Sequence, residues 1–368
     1  MLIDGHPYRS IWEDDHGAVC IIDQRRLPFT VSVEHLAGYR DAVIAIRDMH
    51  LRGAPLIGAA GAYGACLAAR EYSGLDQADF EAAMGSALAE LDAARPTAVN
   101  LRWAVERMRK ALAGASSPKD AAQAALAEAR AIADEDVAIC AALGMHGADI
   151  LERLAADKGR PLNVLTHCNA GWLATVDHGT VTAAIYEAAR RGVRLHVWVD
   201  ETRPRVQGAL TSWELGQNGV PNTVLCDNAG GHLMQRGQVD VVIVGTDRTA
   251  ANGDVANKIG TYLKALAAHD NGVPFYVALP SPSFDPALPE GLESIPIEER
   301  AQDEVLTVHG QADGKPASLG IYAPGTAAAN PGFDVTPARL VTGYITERGV
   351  FDAAGLRAGL AGGAHGRA

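Results

Sequence analysis

Between Ala42 and Leu154, apolar residues recur at three- and four-residue intervals over Ala42–Met49, Leu56–Arg70, Phe80–Ala94, Asn100–Ala113 and Lys119–Leu143, with few β-branched runs. That spacing predicts amphipathic helices, so the first part of the chain is expected to be mainly helical. Ahead of it, Ala18–Asp23 and Phe29–Val33 are short β-branched or aromatic runs that predict a small antiparallel piece. After Lys158-Gly-Arg-Pro161 the pattern changes to continuous apolar runs, at Asn163–Thr166, Leu195–Val199, Thr223–Cys226, Val239–Val244 and Phe275–Leu279. Helix-like segments separate them: Thr180–Arg191, Gly208–Asn218, Gly231–Gln235 and Gly260–His269. Buried strands alternating with helices predict an α/β fold whose parallel sheet is covered on both faces. Such sheets bind ligands beyond the carboxyl ends of their strands, so the residues just past those ends are the ones to inspect.

The expected organisation is a smaller helical domain over residues 1–155, a parallel-sheet domain over 156–350 and a flexible tail over 351–368. Within the second domain, Ser281–Ala312, with its prolines and acids, reads as loops, and Pro337–Ile345 as a last helix-to-strand element. The tail from Gly355 is rich in Gly, Ala and Arg.

Composition narrows the class of partner. Acidic residues outnumber basic ones, 44 against 32, giving a formal net charge of −12. Such a surface repels polyphosphate backbones, which argues against nucleic acid as a main partner, although a small anion still fits a local basic pocket. The longest uninterrupted weakly apolar stretch after Arg52, Gly53–Ala69, is mostly Gly and Ala and falls short of the roughly 20 residues a bilayer demands. Residues 1–15 carry Asp4, Glu13, Asp14 and Asp15 and lack the layout of an export signal. The five cysteines are dispersed and include no C-x-x-C pair. No membrane association, no disulfide framework and a reducing cytoplasm are therefore expected.

Two strand ends carry candidate chemistry. Cys168 follows Asn163–Thr166 and precedes Gly171, which lets the chain turn and exposes a thiol. Successive side chains on a strand diverge, so His167 and Cys168 are not expected to form a dyad; the alternative for Cys168 is a small buried hydrophobe. Asp247 follows Val239–Val244, the most apolar strand. A carboxylate against such a wall tends to a raised pKa suited to proton transfer, while its alternative is a turn-former or helix cap. Further on, Asn257 and Lys258 lie in a polar, glycine-containing loop leading to a helix start, where outward N–H groups favour a phosphate. Leu51-Arg-Gly-Ala-Pro55 and Arg95-Pro-Thr-Ala-Val-Asn100 repeat that grammar in the helical part, and the three cations suggest a phosphate clamp. Gln207 suits a sugar hydroxyl, whereas Asp200 and Glu201 are expected to pair with Arg203 or Arg205. No G-x-G-x-x-G or Walker loop is present, which removes the main support for a nicotinamide or ATP cofactor. The twelve histidines show no ligand spacing, so neither metal nor cofactor is expected.

Taken in order, Arg52-Gly-Ala-Pro55, Arg95-Pro-Thr97, Thr166-His-Cys-Asn-Ala-Gly171, Asp200-Glu-Thr-Arg-Pro204, Gly245-Thr-Asp-Arg248 and Asn257-Lys258 resemble the S-methyl-5-thioribose-1-phosphate isomerases. Asp23–Pro28 and Asn330–Pro337 match family segments as well, so the resemblance covers residues 18 to 350. It implies a helical N-terminal domain joined to a Rossmann-like domain, paired as a homodimer. It further implies aldose–ketose isomerisation of a sugar 1-phosphate in methionine salvage. Asp247 would be the proton donor, Cys168 would stabilise the transition state, and Arg52, Gly53, Ala54, Arg95, Gln207, Asn257 and Lys258 would contact substrate. Thr246 and Trp172 depart from the family pattern; the bulk of Trp172 bears on which 5-substituent is accepted, with 5-deoxyribose 1-phosphate or another 5-substituted ribose 1-phosphate the alternative substrate. The same superfamily holds non-catalytic regulatory subunits of a translation-initiation exchange factor, which lack the Cys and Asp pair.

Overall fold

The structure, a computed structural model, describes residues 1–95 and 98–361. Pro96 and Thr97 of the Arg95-Pro-Thr97 segment, and residues 362–368 of the expected tail, lie outside the described residues. The chain divides into two compact units, one comprising Met1, His6–Cys140 and Trp172–Gly179, the other Leu2–Gly5, Ala141–Gly171 and Thr180–Ala368.

In the first unit, β1 (Ile11–Glu13), β2 (Val19–Ile22) and β3 (Val33–Leu36) form an antiparallel sheet, with Val19 opposite Leu36 and Ile22 opposite Val33. The third strand begins where the expected Phe29–Val33 run ends; Phe29 is instead a turn residue, 54% exposed, just after Pro28. Helices α1 (Tyr39–Arg47), α2 (Ala54–Tyr72), α3 (Gln77–Ala93), α4 (Val99–Ala113) and α5 (Pro118–Ala155) follow. Each of the predicted helices is present. Asp76 caps α3 by accepting the Asp79 amide, 3.0 Å away. The small side chains of α2 are buried on all sides, as befits a helix that is apolar right round.

The predicted last helix of this region, Lys119–Leu143, continues to Ala155, so the division between units falls inside α5 rather than near residue 155. Gly144 and Gly147 do not break it, because they serve close packing: a Cβ on Gly147 would lie 2.4 Å from that of Ala184.

The second unit contains β4 (Leu162–Thr166), α6 (Val181–Arg190), β5 (Leu195–Asp200), α7 (Gly208–Gln217), β6 (Asn222–Leu225), α8 (Ala229–Gln235), β7 (Val241–Val244), β8 (Arg248–Ala250), β9 (Val255–Lys258), α9 (Thr261–Asp270), β10 (Phe275–Ala278), β11 (Phe284–Asp285), α10 (Asp303–Leu306), β12 (Thr307–Ala312), β13 (Lys315–Gly320), β14 (Phe333–Thr336), β15 (Gly343–Thr346), β16 (Gly349–Phe351) and α11 (Ala353–Ala361). All five expected parallel strands are there, with β15 as a sixth and β16 antiparallel at the edge. From β4 the sheet steps outward through β5 to β6 on one side and through β7, β10 and β15 on the other. The direction of stepping therefore reverses between β4 and β7. Along β7, Val241 and Ile243 join one buried cluster and Val242 and Val244 another, the two-residue alternation of a sheet covered on both faces.

Three features depart from expectation. The Asn257-Lys258 segment is not a loop but strand β9, in a second sheet ordered β11-β8-β9-β14. The region 281–312 is not all loop: it contains β11, α10 and the first arm of the β12–β13 hairpin. Residues 351–361 end β16 and form α11, whose Leu356 and Leu360 are buried, so this stretch of the expected tail is built into the unit.

Candidate active site

A reversal in strand order leaves two loops diverging from adjacent strand ends, and the crevice between them is where open α/β sheets take ligands. Here the adjacent strands are β4 and β7, in register at Leu165 and Val242. Cys168 lies two residues past the end of β4 and Asp247 three past the end of β7, so the two candidates stand at the lips of the same crevice. Their loops touch, since a Cβ on Gly245 would come within 2.9 Å of that of Ala170. Both residues are half-buried.

The Cys168 turn is held rigidly. Its φ is +70°, in the left-handed region that costs a non-glycine residue energy and that its surroundings must enforce. Its amide donates to Thr202 Oγ1 at 2.8 Å and its carbonyl accepts from Thr211 Oγ1 at 2.9 Å. Thr202 is itself at φ +61°, with its amide donating to Asp227 Oδ1 at 2.7 Å. Gln207 caps α7 one turn before Thr211; it is 9% exposed, and its side-chain oxygen finds no hydrogen-bond partner among the described residues. A buried oxygen of that kind suits a donor hydroxyl.

On the other lip, the Asp247 amide donates to the carbonyl of Ala256, 3.0 Å away, which sets the acid beside β9 and its Asn257 and Lys258. Asn257 is buried and donates from Nδ2 to Thr261 Oγ1 at 3.0 Å. Lys258 is buried too, its ammonium donating to the Gly332 carbonyl at 2.7 Å and lying 4.7 Å from the centre of the Phe333 ring. The start of α9 is not the open anion site expected from the sequence. The amides of Gly260 and Tyr262 donate to the two carboxylate oxygens of Asp334, at 2.7 and 3.1 Å, so a carboxylate already fills the place of a phosphate. Burial raises the Asp334 carboxyl above its ordinary range, against the opposing pull of those amides and of His167 and Lys264.

The acidic pair after β5 is also placed differently from expectation. Asp200 pairs with His167 Nδ1 at 2.8 Å and Lys264 Nζ at 3.2 Å, not with an arginine. Arg205 binds Glu304, and Arg203 donates to the carbonyls of Val305 and Thr307. The reason is the strand's alternation: Asp200, the last residue of β5, points into the sheet's buried end, while the arginines continue outward along the loop. As expected, the His167 ring turns away from a dyad with Cys168; its partners are Asp200 and the Ile259 carbonyl.

In the first unit, Arg52, Gly53 and Ala54 form the entry to α2, and Arg95 lies between α3 and α4. Arg52 is buried, 8% exposed. Gly53, at φ +105°, allows the backbones to meet: a Cβ there would lie 2.4 Å from the Ala174 carbonyl oxygen. Segment 172–179 is further pinned by Ser10 Oγ on the Trp172 carbonyl, Gln24 Nε2 on the Leu173 carbonyl and Asp136 on the Val176 amide. Trp172, flagged as a family departure, is fully buried in this unit.

Sequence spacing gave no hint of two three-residue groups of metal-ligand type, Asp14/Cys20/His35 and His167/Asp200/Asp227, because strand pairing rather than chain proximity assembles them. In the first, Cys20 Sγ lies 3.4 Å from His35 Nδ1 and 3.6 Å from the Ala18 carbonyl. Burial, with the charge of Asp14, pushes its thiol up, which keeps it a hydrogen-bonded thiol. In the second, the Lys264 ammonium already supplies a cation.

With that geometry in view, the comparisons with known proteins are decisive. The family model of the initiation factor 2 subunit family matches residues 50–353. The chain belongs to that family. Within it, this chain is 59% identical over 366 residues to a methylthioribose-1-phosphate isomerase of Methylorubrum extorquens, covering 98% of each protein. It is 58% identical to another of that name from Acidiphilium cryptum, covering 95% of this chain and 94% of the relative. Among solved structures, a 5-methylthioribose 1-phosphate isomerase from Pyrococcus horikoshii superposes with a TM-score of 0.83 at 38% identity, covering 96% of both chains. The delta subunit of translation initiation factor eIF-2B from A. fulgidus gives 0.80 at 37% identity, over 96% of this chain and all of that one. The family thus brings enzymes and initiation-factor subunits together on one fold.

Proposed function

We propose that this chain is an aldose–ketose isomerase of methionine salvage that converts 5-methylthioribose 1-phosphate to 5-methylthioribulose 1-phosphate. The isomerase names of relatives at 55–59% identity across nearly the whole chain support the activity. The observation that carries the chemistry is the pairing of Cys168 and Asp247 on the two strand ends that flank the reversal in the sheet. Binding alone, as in a regulatory subunit, requires neither a thiol nor an acid there.

A phosphate on the anomeric oxygen prevents the furanose from opening by itself. Asp247 donates a proton to the ring oxygen as its bond to C1 breaks, hydrogen moves from C2 to C1 beside Cys168, which stabilises the enediol-like centre, and the C2 hydroxyl returns a proton to Asp247 as it becomes the ketone. Substrate contacts are assigned by resemblance to Arg52, Gly53, Ala54, Arg95, Gln207, Asn257 and Lys258. The reading assigns no cofactor and no metal, a small sugar phosphate rather than nucleic acid or membrane as partner, a homodimer, and the cytoplasm as the place of action. No helix among the described residues is long and apolar enough to cross a membrane.

The test is turnover of the methylthio sugar phosphate by purified protein, followed by NMR of the ketose product. Asp247→Asn removes a placed general acid and is expected to lower kcat about 10²–10⁴-fold while substrate still binds. Wild-type kcat in that variant overturns the assignment. A higher kcat/KM for 5-deoxyribose 1-phosphate than for the methylthio sugar would instead transfer the reading to the other 5-substituent.

A further inference from the structure

Behind the Cys168 turn lies a charged cluster that the mechanism above does not use. The His167 and Asp200 side chains are both fully buried. The two ring nitrogens of His167 each contact an oxygen at 2.8 Å: Nδ1 the carboxylate Oδ2 of Asp200, Nε2 the backbone carbonyl of Ile259. A carbonyl oxygen only accepts, so Nε2 carries a proton. An ionised carboxylate also only accepts, and a proton on Oδ2 would point against the Lys264 ammonium, 3.2 Å from the same atom. Both contacts are hydrogen bonds only if both nitrogens are protonated.

The charges around the ring require the same. Asp200 faces it from β5, Asp227 Oδ1 lies 3.9 Å from Nδ1 after β6, and Asp334 from β14 caps the α9 start against which the ring packs. Lys264 from α9 is the one ammonium in this set. Backbone amides satisfy Asp227 and Asp334, but three acids against a single ammonium leave the set short of positive charge, and a second cation on the fully buried His167–Asp200 contact lessens that imbalance. Gly260 seals the ring in place: a Cβ there would come within 3.0 Å of Cε1 and Nε2.

We propose that His167 is held as a buried imidazolium, a positioning cation that clamps the ends of β4, β5 and β9 together and so fixes the Cys168 turn next to it. The clamp is what allows Cys168 to keep its left-handed backbone, and a positive charge one residue away favours negative charge at its sulfur and at the adjoining reaction centre. The consequence for the reaction rests on the role given to Cys168 under Proposed function, but the protonation state does not.

The experiment uses the full-length protein labelled with ¹⁵N-histidine, with nitrogen spectra from pH 6 to 9. His167 is assigned by the signals lost in His167→Gln, or by ring NOEs to Gly260 if that variant does not fold. Two protonated-type ring nitrogens are expected at pH 7.5; one unprotonated nitrogen at that pH overturns the proposal whether or not the protein is an isomerase. Iodoacetamide labelling of Cys168, read by peptide mass spectrometry at pH 7.5, is expected to slow about tenfold in His167→Gln, the effect of one pKa unit. The same variant is expected to lose kcat with KM held within about twofold, since the histidine acts through the turn and not on the ground-state sugar. Unchanged labelling and unchanged kcat refute the positioning role. Absence of any turnover in the wild type, with His167 doubly protonated, would refute the isomerase reading and leave the imidazolium standing.

Discussion

Asp136, on α5, gives the first unit a pH dependence that can be worked out from its surroundings. Its carboxylate accepts the Val176 amide at 2.7 Å and so pins the segment 172–179 that packs on Gly53. Burial, reinforced by the nearby charge of Asp177 and opposed by the Val176 hydrogen bond, raises its pKa from 3.8 to about 7. Between those two values the folded protein holds a proton that the unfolded chain has already released. This contribution is therefore fully present below about pH 4, declines as pH rises, and is lost above about pH 7. At about 1.4 kcal/mol per unit, the interval is worth on the order of 4 kcal/mol. The residue retains partial exposure, and solvent screening reduces the slope measurable between pH 5.5 and 7.5 to about 1–2 kcal/mol. Asp136→Asn keeps an oxygen for Val176 and cannot ionise. Thermal melts of both proteins at matched pH cancel all other titrations, and the variant should gain about 1–3 °C on the wild type between those pH values. A gap that stays constant with pH, or that opens in favour of the wild type, refutes the reasoning.

Gly53→Ala combines an unfavourable φ with backbone overlap at Ala174 and should cost about 1–3 kcal/mol in a urea melt. Gly85→Ala is its control: that exposed position in α3 has nothing within 4 Å of a new Cβ, and better helix propensity should add about 0.5–1 kcal/mol. A loss at Gly85 as large as that at Gly53 would remove the steric explanation. Lys264→Met strips Asp200 of its ammonium inside the protein and should cost about 3–5 kcal/mol; a loss below about 1 kcal/mol in the same melt would show that the ion pair is not integral to the sheet end.

The alternation of apolar runs with helices was enough to place β4, β5, β7 and β10, because their side chains are mostly buried on both faces and hydrophobicity is then nearly continuous, and it also placed β6, a half-exposed strand at the sheet's edge. The same rule located Cys168 and Asp247 at strand ends before any strand order was known. It failed for Val255–Lys258, where Asn257 and Lys258 read as polar loop residues although both are buried, each satisfied by a hydrogen bond that only folding supplies. It failed again at Gly144 and Gly147, where glycine marks close helix contact instead of a helix end. Asp334, 76 residues beyond Lys258, could not be foreseen as the occupant of the α9 start, since no local pattern relates a cap to so distant a helix.

These failures share a cause that bears on the site itself. Sequence spacing registers groups supplied by one segment, whereas the Cys168 turn is held by Thr202 from the loop after β5, by Thr211 from α7 and, through Asp200 and the neighbouring His167, by Lys264 from α9. A left-handed, non-glycine turn is costly by itself and persists only where several independent contacts over-determine it. Removal of one of these should therefore alter the geometry of the thiol before it unfolds the sheet. A loss of kcat in His167→Gln at preserved thermal stability would mark the turn as shaped for chemistry, whereas a proportionate fall of both would mark it as part of the ordinary core.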